Sequence, residues 1–417
     1  MTSELRHDPE QPVTTLRIAI VTQGYQSAGG VQTVARWLVG GLRANGHTVH
    51  IFSLATSRQD PHSRLLTKPS TWRRSSLLVP AGNEPDVTHV GANGAELEIL
   101  RYLPRRDLDR ALDDFDVVQV VTGGPALAWA TSRTKTPVAL QVATTVRWER
   151  AAMLARQAPL GWLARQVMTA AVTLLEVRSM RGVRAIHVEN REMGTYVAQR
   201  APQTPAILAP PGVDTTRFTP HPEGWRRDGY LLSVCRLGDP RKGLDRLIDS
   251  YAQLRARGRE VPDLVLAGRN NPPLALMNQI RDLGLAAHIH VRSDVPTVAL
   301  PSLFQGASVY LQTSYEEGLG ISVLEAMGTG LPVVATETAG TLETVIRGET
   351  GWLVPQGAEV PHHIAEMTLR VLDGEGPSMA RNARERAVST FDSEFTLGRF
   401  LSSYARLLDG RARELLP

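Results

Sequence analysis

Short apolar runs alternate with stretches of helical periodicity through most of the chain. Residues 16–21 (LRIAIV) form an unbroken apolar run, the pattern of a parallel strand covered on both faces. After the loop TQGYQSAGG, apolar residues recur at Val31, Val34, Trp37, Leu38 and Leu42, which predicts an amphipathic helix over 31–44 that Asn45-Gly46 stops. Residues 48–54 (TVHIFSL) then read as a second strand, completing a βαβ unit. The alternation recurs with strands over 116–121 and 137–142, a long helical stretch over 147–184, and strands at 184–188 and 206–209. It is interrupted at Pro210-Pro211-Gly212-Val213-Asp214 and a polar, turn-rich segment over 219–229, the candidate hinge. It restarts with strands at 230–234, 263–267, 288–292, 307–312 and 332–335 and helices at 242–257 and 273–283. Two such series predict an α/β chain of two doubly wound, Rossmann-like domains facing a cleft. The expected division is a disordered tail over 1–14, domains over 15–213 and 214–391, and a terminal helix over 392–417 that crosses back to the first domain.

Composition narrows the classes. A chain of 417 residues with 42% apolar and 21% charged residues has material for two packed cores and is not a disordered polymer. Its one cysteine, Cys235, excludes a disulfide framework or a cysteine-built metal site, and the polar start has no signal-peptide core. A cytoplasmic protein is expected. Net charge is +4, unevenly spread: residues 1–213 hold 24 Lys+Arg against 17 Asp+Glu, and the remainder 22 against 25. The excess is dilute, unlike the stripe of a nucleic-acid binder, and suits an anionic substrate or an acidic membrane surface.

Three segments carry candidate chemistry. In SYEEGLGISVLEAMGTG (314–330), Glu317 falls in a loop, Gly318-Leu319-Gly320 permits tight turning, and a helix starts near Ile321. Free N–H groups and the helix dipole there suit a phosphate. Glu325, among Leu, Val and Met, calls for donors such as ribose hydroxyls; a solvated loop Glu317 and a surface Glu325 explain the same spacing. In CRLGDPRKGL (235–244), Arg236 and Lys242 follow a strand and could grip phosphate, or could serve as ordinary turn charges beside Arg241. Gly29-Gly30 would let a ligand approach backbone, or form a plain turn. The sequence has no GxxxxGK[ST], HExxH or GxSxG. The carboxylate pairs Asp107/Asp109 and Asp114/Asp116 and the histidines His288, His290, His362 and His363 lack a third metal ligand in view, and no metal is expected.

Together these residues resemble the retaining GT-B glycosyltransferases of glycosyltransferase family 4. Glu317-GLGISVL-Glu325 matches the family's paired glutamates, CRLGDPRKGL its basic pair, PPGVDTTRF its domain junction, and AGTLETVIRGETGWLVP and GGVQTVARWLVGGLRANGHTV its flanking segments. The resemblance spans roughly 16–408. It implies that Arg236 and Lys242 hold the diphosphate of a UDP- or GDP-type sugar, with backbone around Gly318, Leu319, Gly320, Ile321 and Ser322. Glu317 would bond hydroxyls of the transferred sugar and Glu325 the ribose. Arg269 and Asn270 would lie near the base, and Gly30 across the cleft. It also implies retention of anomeric configuration with no cofactor beyond the sugar nucleotide. In the place of the histidine many members carry after the strand over 137–142, this chain reads QVATTVRWER, with Thr145-Val146 in that neighbourhood. Gly29, Thr145, Arg147 and Glu149 are the candidates for the acceptor side. A small-molecule acceptor of specialised metabolism is expected. A lipid or envelope acceptor at the membrane face, and an inactive sugar-nucleotide-binding scaffold, are the alternatives.

Overall fold

The computed structural model describes residues 15–414 apart from Ala28, Thr56, Ser75, Ser76, Asn83, 155–158 and Arg259. The expected tail over 1–14 lies outside the described residues. The chain builds two sheets. The first comprises β1 (Arg17–Gln23), β2 (Thr48–Leu54), β3 (Leu78–Ala81), β4 (Glu84–Val90), β5 (Val117–Thr122), β6 (Val138–Val142), β7 (Ala185–Val188) and β8 (Ala206–Leu208). Its order is β3-β4-β2-β1-β5-β6-β7-β8, parallel throughout except for the β3–β4 hairpin at one edge. The second comprises β9 (Tyr230–Arg236), β10 (Leu264–Arg269), β11 (Ile289–Ser293), β12 (Ala307–Gln312), β13 (Val333–Thr336) and β14 (Gly351–Val354). Its order is β11-β10-β9-β12-β13-β14, all parallel.

The apolar runs are central strands because both faces are covered: every residue of β5 and of β12 is buried. The first sheet separates a cluster around Val118, Leu140 and Met180 from one around Ile20, Leu38 and Phe400, and the second is likewise flanked by two clusters. The helix Gly30–Ala44 turns Val34, Leu38 and Leu42 onto the first sheet and ends where Gly46 takes a positive φ of 80°. The β3–β4 hairpin and β14 are additions to the strands read from sequence. β3 is short and no residue in it is buried, and three of the first residues of β4 are exposed, so these strands lack the apolar run that marks the others.

The chain passes between the sheets twice, at two adjoining places. Val213 bridges Asp392, with Val213 N–H donating to Phe391 O (2.8 Å) and Ser393 N–H to Val213 O (3.0 Å). A side chain at Gly212 would stand 2.6 Å from Ser393 Cα, so the two crossings pack as closely as backbone allows. Beyond them the helix Ser393–Glu414 lies on the first sheet. Leu397, Phe400 and Tyr404 join the cluster of Ile18, Ile20 and Leu38, Trp37 Nε1 donates to Ser393 Oγ (3.1 Å), and Tyr404 Oη donates to the buried Gln119 Oε1 (2.9 Å). In each sheet the strand order reverses beside its first strand, between β1 and β5 and between β9 and β12. Ligands of doubly wound sheets bind at the carboxyl ends of the strands at such a point. Here the two reversal points face one another across the cleft.

Candidate active site

A cavity of about 330 Å³ occupies that junction. From the first sheet it takes Gly29 and Gly30 after β1, Thr122-Gly123 at the end of β5, Gln141 on β6, Ala143-Thr144 after it, Glu149 and Glu189. From the second it takes Cys235 and Arg236 at the end of β9, Arg241, Lys242, Gly268 and Arg269 at the end of β10, and the run from Glu316 to Ser322 with Glu325.

Lys242 is placed by a tight turn. Asp239 caps the short 3-10 helix Pro240–Lys242 by accepting from Arg241 N–H (3.0 Å), and Gly243 follows with φ +60°. Any side chain at Gly243 would strike Thr313 O, and Thr313 Oγ1 donates to Gly243 O (2.8 Å), so this turn and the end of β12 form one unit. Lys242 Nζ lies 2.5 Å from Glu317 Oε2, with the two side chains 16% and 19% exposed. Burial opposes the ammonium charge, yet the Glu317 carboxylate outweighs it and raises the lysine above its ordinary value. Lys242 is therefore a fixed positive charge at any physiological pH. Arg236, less buried, pairs with Asp239 (2.8 Å).

The loop from Ser314 to Gly320 is held through its backbone. Thr336 Oγ1 and Gln356 Nε2 both donate to Ser314 O (2.6 and 3.0 Å), Tyr315 N–H donates to Arg241 O (2.8 Å), and Gly340 N–H donates to Glu317 O (2.9 Å). A methyl at Gly340 would come within 2.6 Å of Leu319 backbone, which only glycine permits. From across the cleft Asn190 Nδ2 donates to Gly318 O (2.6 Å). Gly320 then takes a left-handed φ of 84° and caps the helix Ile321–Gly328. The first N–H groups of a helix have no intrahelical partner, and here they open onto the cavity wall with the positive end of the helix dipole. Glu325, one turn in, has no hydrogen bond to its carboxylate among the described residues, and burial raises it to about 8.

The cavity thus gathers Glu317, Arg236, Lys242, Gly29, Gly30, Arg269, Gly318, Leu319, Gly320, Ile321, Ser322, Glu325 and Glu149. It does not gather Asn270, Thr145 or Arg147. Asn270 adopts φ +64° and its N–H donates to Asp294 Oδ1 (3.0 Å), which turns the chain outward. Thr145 is buried and its hydroxyl accepts from Trp148 N–H (3.3 Å), starting the helix Val146–Leu154, while Arg147 is exposed on that helix. The side chains that reach the cavity from this stretch are Ala143, Thr144 and Glu149.

Sequence reasoning passed over further wall residues, Arg241, Glu316, Gln141 and Glu189 among them. Arg241, read as a turn charge, contacts Asp239 (3.0 Å), Glu316 (3.3 Å) and, across the cleft, Glu149 (3.7 Å). Its position beside Lys242 was the available signal. Glu316 adjoins Glu317. Gln141 and Glu189 stand at the carboxyl ends of β6 and β7, where strand-end polar residues warranted attention. Cys235 is half-buried in the wall, and burial pushes its thiol up to about 12, so it stays protonated. Of the histidines read as lacking a third metal ligand, His288 Nδ1 and His290 Nε2 share Asp263 (3.0 and 2.8 Å), whereas the structure brings Glu366 to His362 and His363, with ligand atoms of all three within 4.8 Å, because the helix Val360–Arg370 places residues three and four apart on one face.

Comparison with known proteins follows the same division. The family model for glycosyltransferase family 4 matches residues 28–217, and that for glycosyl transferases group 1 matches residues 220–389. A GDP-mannose-dependent alpha-(1-6)-phosphatidylinositol monomannoside mannosyltransferase of Mycolicibacterium smegmatis is 40% identical over 163 residues, 35% of this chain and 42% of the relative. A D-inositol 3-phosphate glycosyltransferase of Kribbella flavida is 30% identical over 219 residues, 49% of this chain and 51% of the relative. The chain spans about half the length of the curated relatives it matches. Sucrose-phosphate synthase from Thermosynechococcus elongatus superposes with a TM-score of 0.71 at 19% identity, covering 95% of this chain and all of that one. HepE from Anabaena, in complex with UDP and glucose, does so at 0.65 and 16%, covering 94% and 100%. At such identities the likeness is one of fold: two Rossmann-like domains facing a cleft. With both halves matched in order and the fold shared end to end, the chain belongs to glycosyltransferase family 4, the group 1 glycosyl transferases of GT-B architecture.

Proposed function

We propose that the protein transfers a glycosyl unit from a nucleoside diphosphate sugar of the UDP or GDP type, with retention and without a metal ion, to a small polar acceptor. The observation that carries this reading is the meeting of Arg236, Lys242 and the N-terminus of the helix Ile321–Gly328 on one wall of the cavity. Breaking the bond between the anomeric carbon and the β-phosphate oxygen leaves positive charge on the sugar and added negative charge on the diphosphate. Two fixed cations and a row of backbone N–H groups stabilise that diphosphate, and one interaction of this kind is worth roughly 3 kcal/mol. The acceptor oxygen bonds to the anomeric carbon on the face the diphosphate leaves, and its proton passes to the departing phosphate oxygen. Glu317 bonds sugar hydroxyls while pairing with Lys242, and Glu325 takes the ribose.

Past the loop at Gly24–Ser27 lie two further cavities, of about 190 and 340 Å³, lined by amides, hydroxyls and charges such as Gln32, Gln59, Asp60 and Glu98. Such walls suit a polyhydroxylated acceptor. The names of the two relatives, which specify phosphatidylinositol monomannoside and inositol 3-phosphate, favour an inositol-bearing acceptor, free or lipid-linked, as a second reading. No helix among the described residues is long and apolar enough to cross a membrane.

The test is thermal stabilisation by UDP, GDP, TDP, ADP and their sugar conjugates, with EDTA present throughout. Stabilisation by one nucleotide family in EDTA is expected, since a ligand bound only to the native state raises the midpoint by mass action. No stabilisation by any of them would sink the donor site, for a transferase and for an inactive sugar-nucleotide-binding scaffold alike.

A further inference from the structure

Gln141 and Glu189 meet in the cavity wall from the ends of two adjacent parallel strands. Both are buried, 1% and 5% exposed, and Gln141 Nε2 donates to Glu189 Oε1. Gln141 Oε1 has no partner, and the second carboxyl oxygen of Glu189 has none among the described residues either. That oxygen faces Gly318, where an added methyl would stand 3.3 Å from it and 2.9 Å from Ala143 Cβ. No cation among the described residues pairs with Glu189. Burial foremost, then the neighbouring Glu317 and Glu316, raises its carboxyl to about 7. Desolvated polar groups without partners are costly, and a wall that keeps them beside a ligand-sized cavity is built for a ligand that supplies the missing bonds.

We infer that Gln141 and Glu189 are a hydroxyl-reading pair for the transferred sugar and determine which donor sugar the protein accepts. The cations Arg236, Arg241 and Lys242 lie at the end of β9 and on the turn after it, so the diphosphate belongs there. A carboxyl group would repel phosphate, whereas a carboxyl–amide pair offers both donor and acceptor to neighbouring hydroxyls. Glu189 also adjoins Gly318, the residue after Glu317, so a sugar held by Glu317 lies within the pair's reach. A site built to bond a hydroxyl discriminates strongly against a sugar lacking it or presenting it on the other face.

This inference rests on the donor reading, and the experiment separates the two. Affinities of wild type, E189A and E189Q are measured by titration calorimetry for UDP, GDP, UDP-glucose, UDP-N-acetylglucosamine and GDP-mannose. The expected result is that E189A binds the parent diphosphate within about twofold of wild type, while the preferred conjugate weakens at least about tenfold. E189Q keeps the side-chain volume and can still exchange a hydrogen bond with Gln141, so it replaces E189A should the latter not fold. It is expected to change the ranking of the conjugates. Equal weakening of parent and conjugate, as a structural brace would give, or no weakening of either, overturns the inference. A wild type that binds parent and conjugate equally overturns it too. A wild type that binds none of the five overturns the donor reading, and the inference with it.

Discussion

Replacing Lys242 with alanine separates stability from function because the lysine has two partners, one in the structure and one proposed. Its ammonium sits 2.5 Å from Glu317 Oε2, with the two side chains 16% and 19% exposed. Removing one member of a well-buried pair costs about 3–5 kcal/mol, and the residual exposure here reduces that to about 2 kcal/mol. For a domain near 200 residues this lowers the midpoint by roughly 4–8 °C. The proposed second partner is the leaving diphosphate, whose loss of one cation lowers kcat at least about tenfold and towards 100-fold. The double variant K242M/E317Q removes both charges and restores most of the melting temperature, because no buried charge is left alone. It does not restore turnover. The assay pairs differential scanning calorimetry with release of the nucleoside diphosphate from the donor that the stabilisation screen selects. Wild-type turnover in a folded K242A, or recovery of turnover along with stability in the double variant, would refute the diphosphate seat.

Other expectations follow from the same contacts. Gly340→Ala pushes a methyl to within 2.6 Å of Leu319 backbone and displaces the loop that carries Glu317. It should weaken binding of the parent diphosphate several-fold by titration calorimetry, and unchanged affinity would show that the loop tolerates the shift. Glu176 is 1% exposed, accepts from Val146 N–H (2.9 Å), and is raised by burial from 4.5 to about 7. Its folded form holds a proton that the unfolded chain releases, so its contribution falls as pH rises from about 4.5 to 7 and is lost above. Across that window wild type should lose on the order of 3 kcal/mol relative to E176Q, read from urea denaturation at several pH values. A constant difference would refute a neutral buried Glu176. Phe400→Ala removes a fully buried ring from the cluster joining the terminal helix to β1, at a cost of about 3–5 kcal/mol in denaturant unfolding. A loss below about 1 kcal/mol would mean that the helix is not part of that core.

The parallel strands were legible because a strand covered on both faces must be apolar along its whole length, as β5 and β12 are. The helix that starts after Gly320 was legible because two glycines precede an apolar helical turn, and Lys242 because few residues but a cation follow a turn at a strand end. Strands without an apolar run, such as β3 and the start of β4, left no such mark. Neighbourhood across the cleft left none either. Glu149 and Arg241 are 92 residues apart in the numbering, yet their side chains come within 3.7 Å, and Asn190 grips the loop at Gly318 from the other sheet. Gln141 and Glu189 read as ordinary polar residues at strand ends until the packing of β6 against β7 brings their side chains together and strips them of water. Periodicity and local turn chemistry are encoded within a few residues, so the sequence by itself determined the βα alternation, the two-domain division of the strands and the cation-bearing turn on the cavity wall. Burial, pairing and the shifted carboxyl groups depend on which distant segments share a wall, and that only the tertiary structure decided.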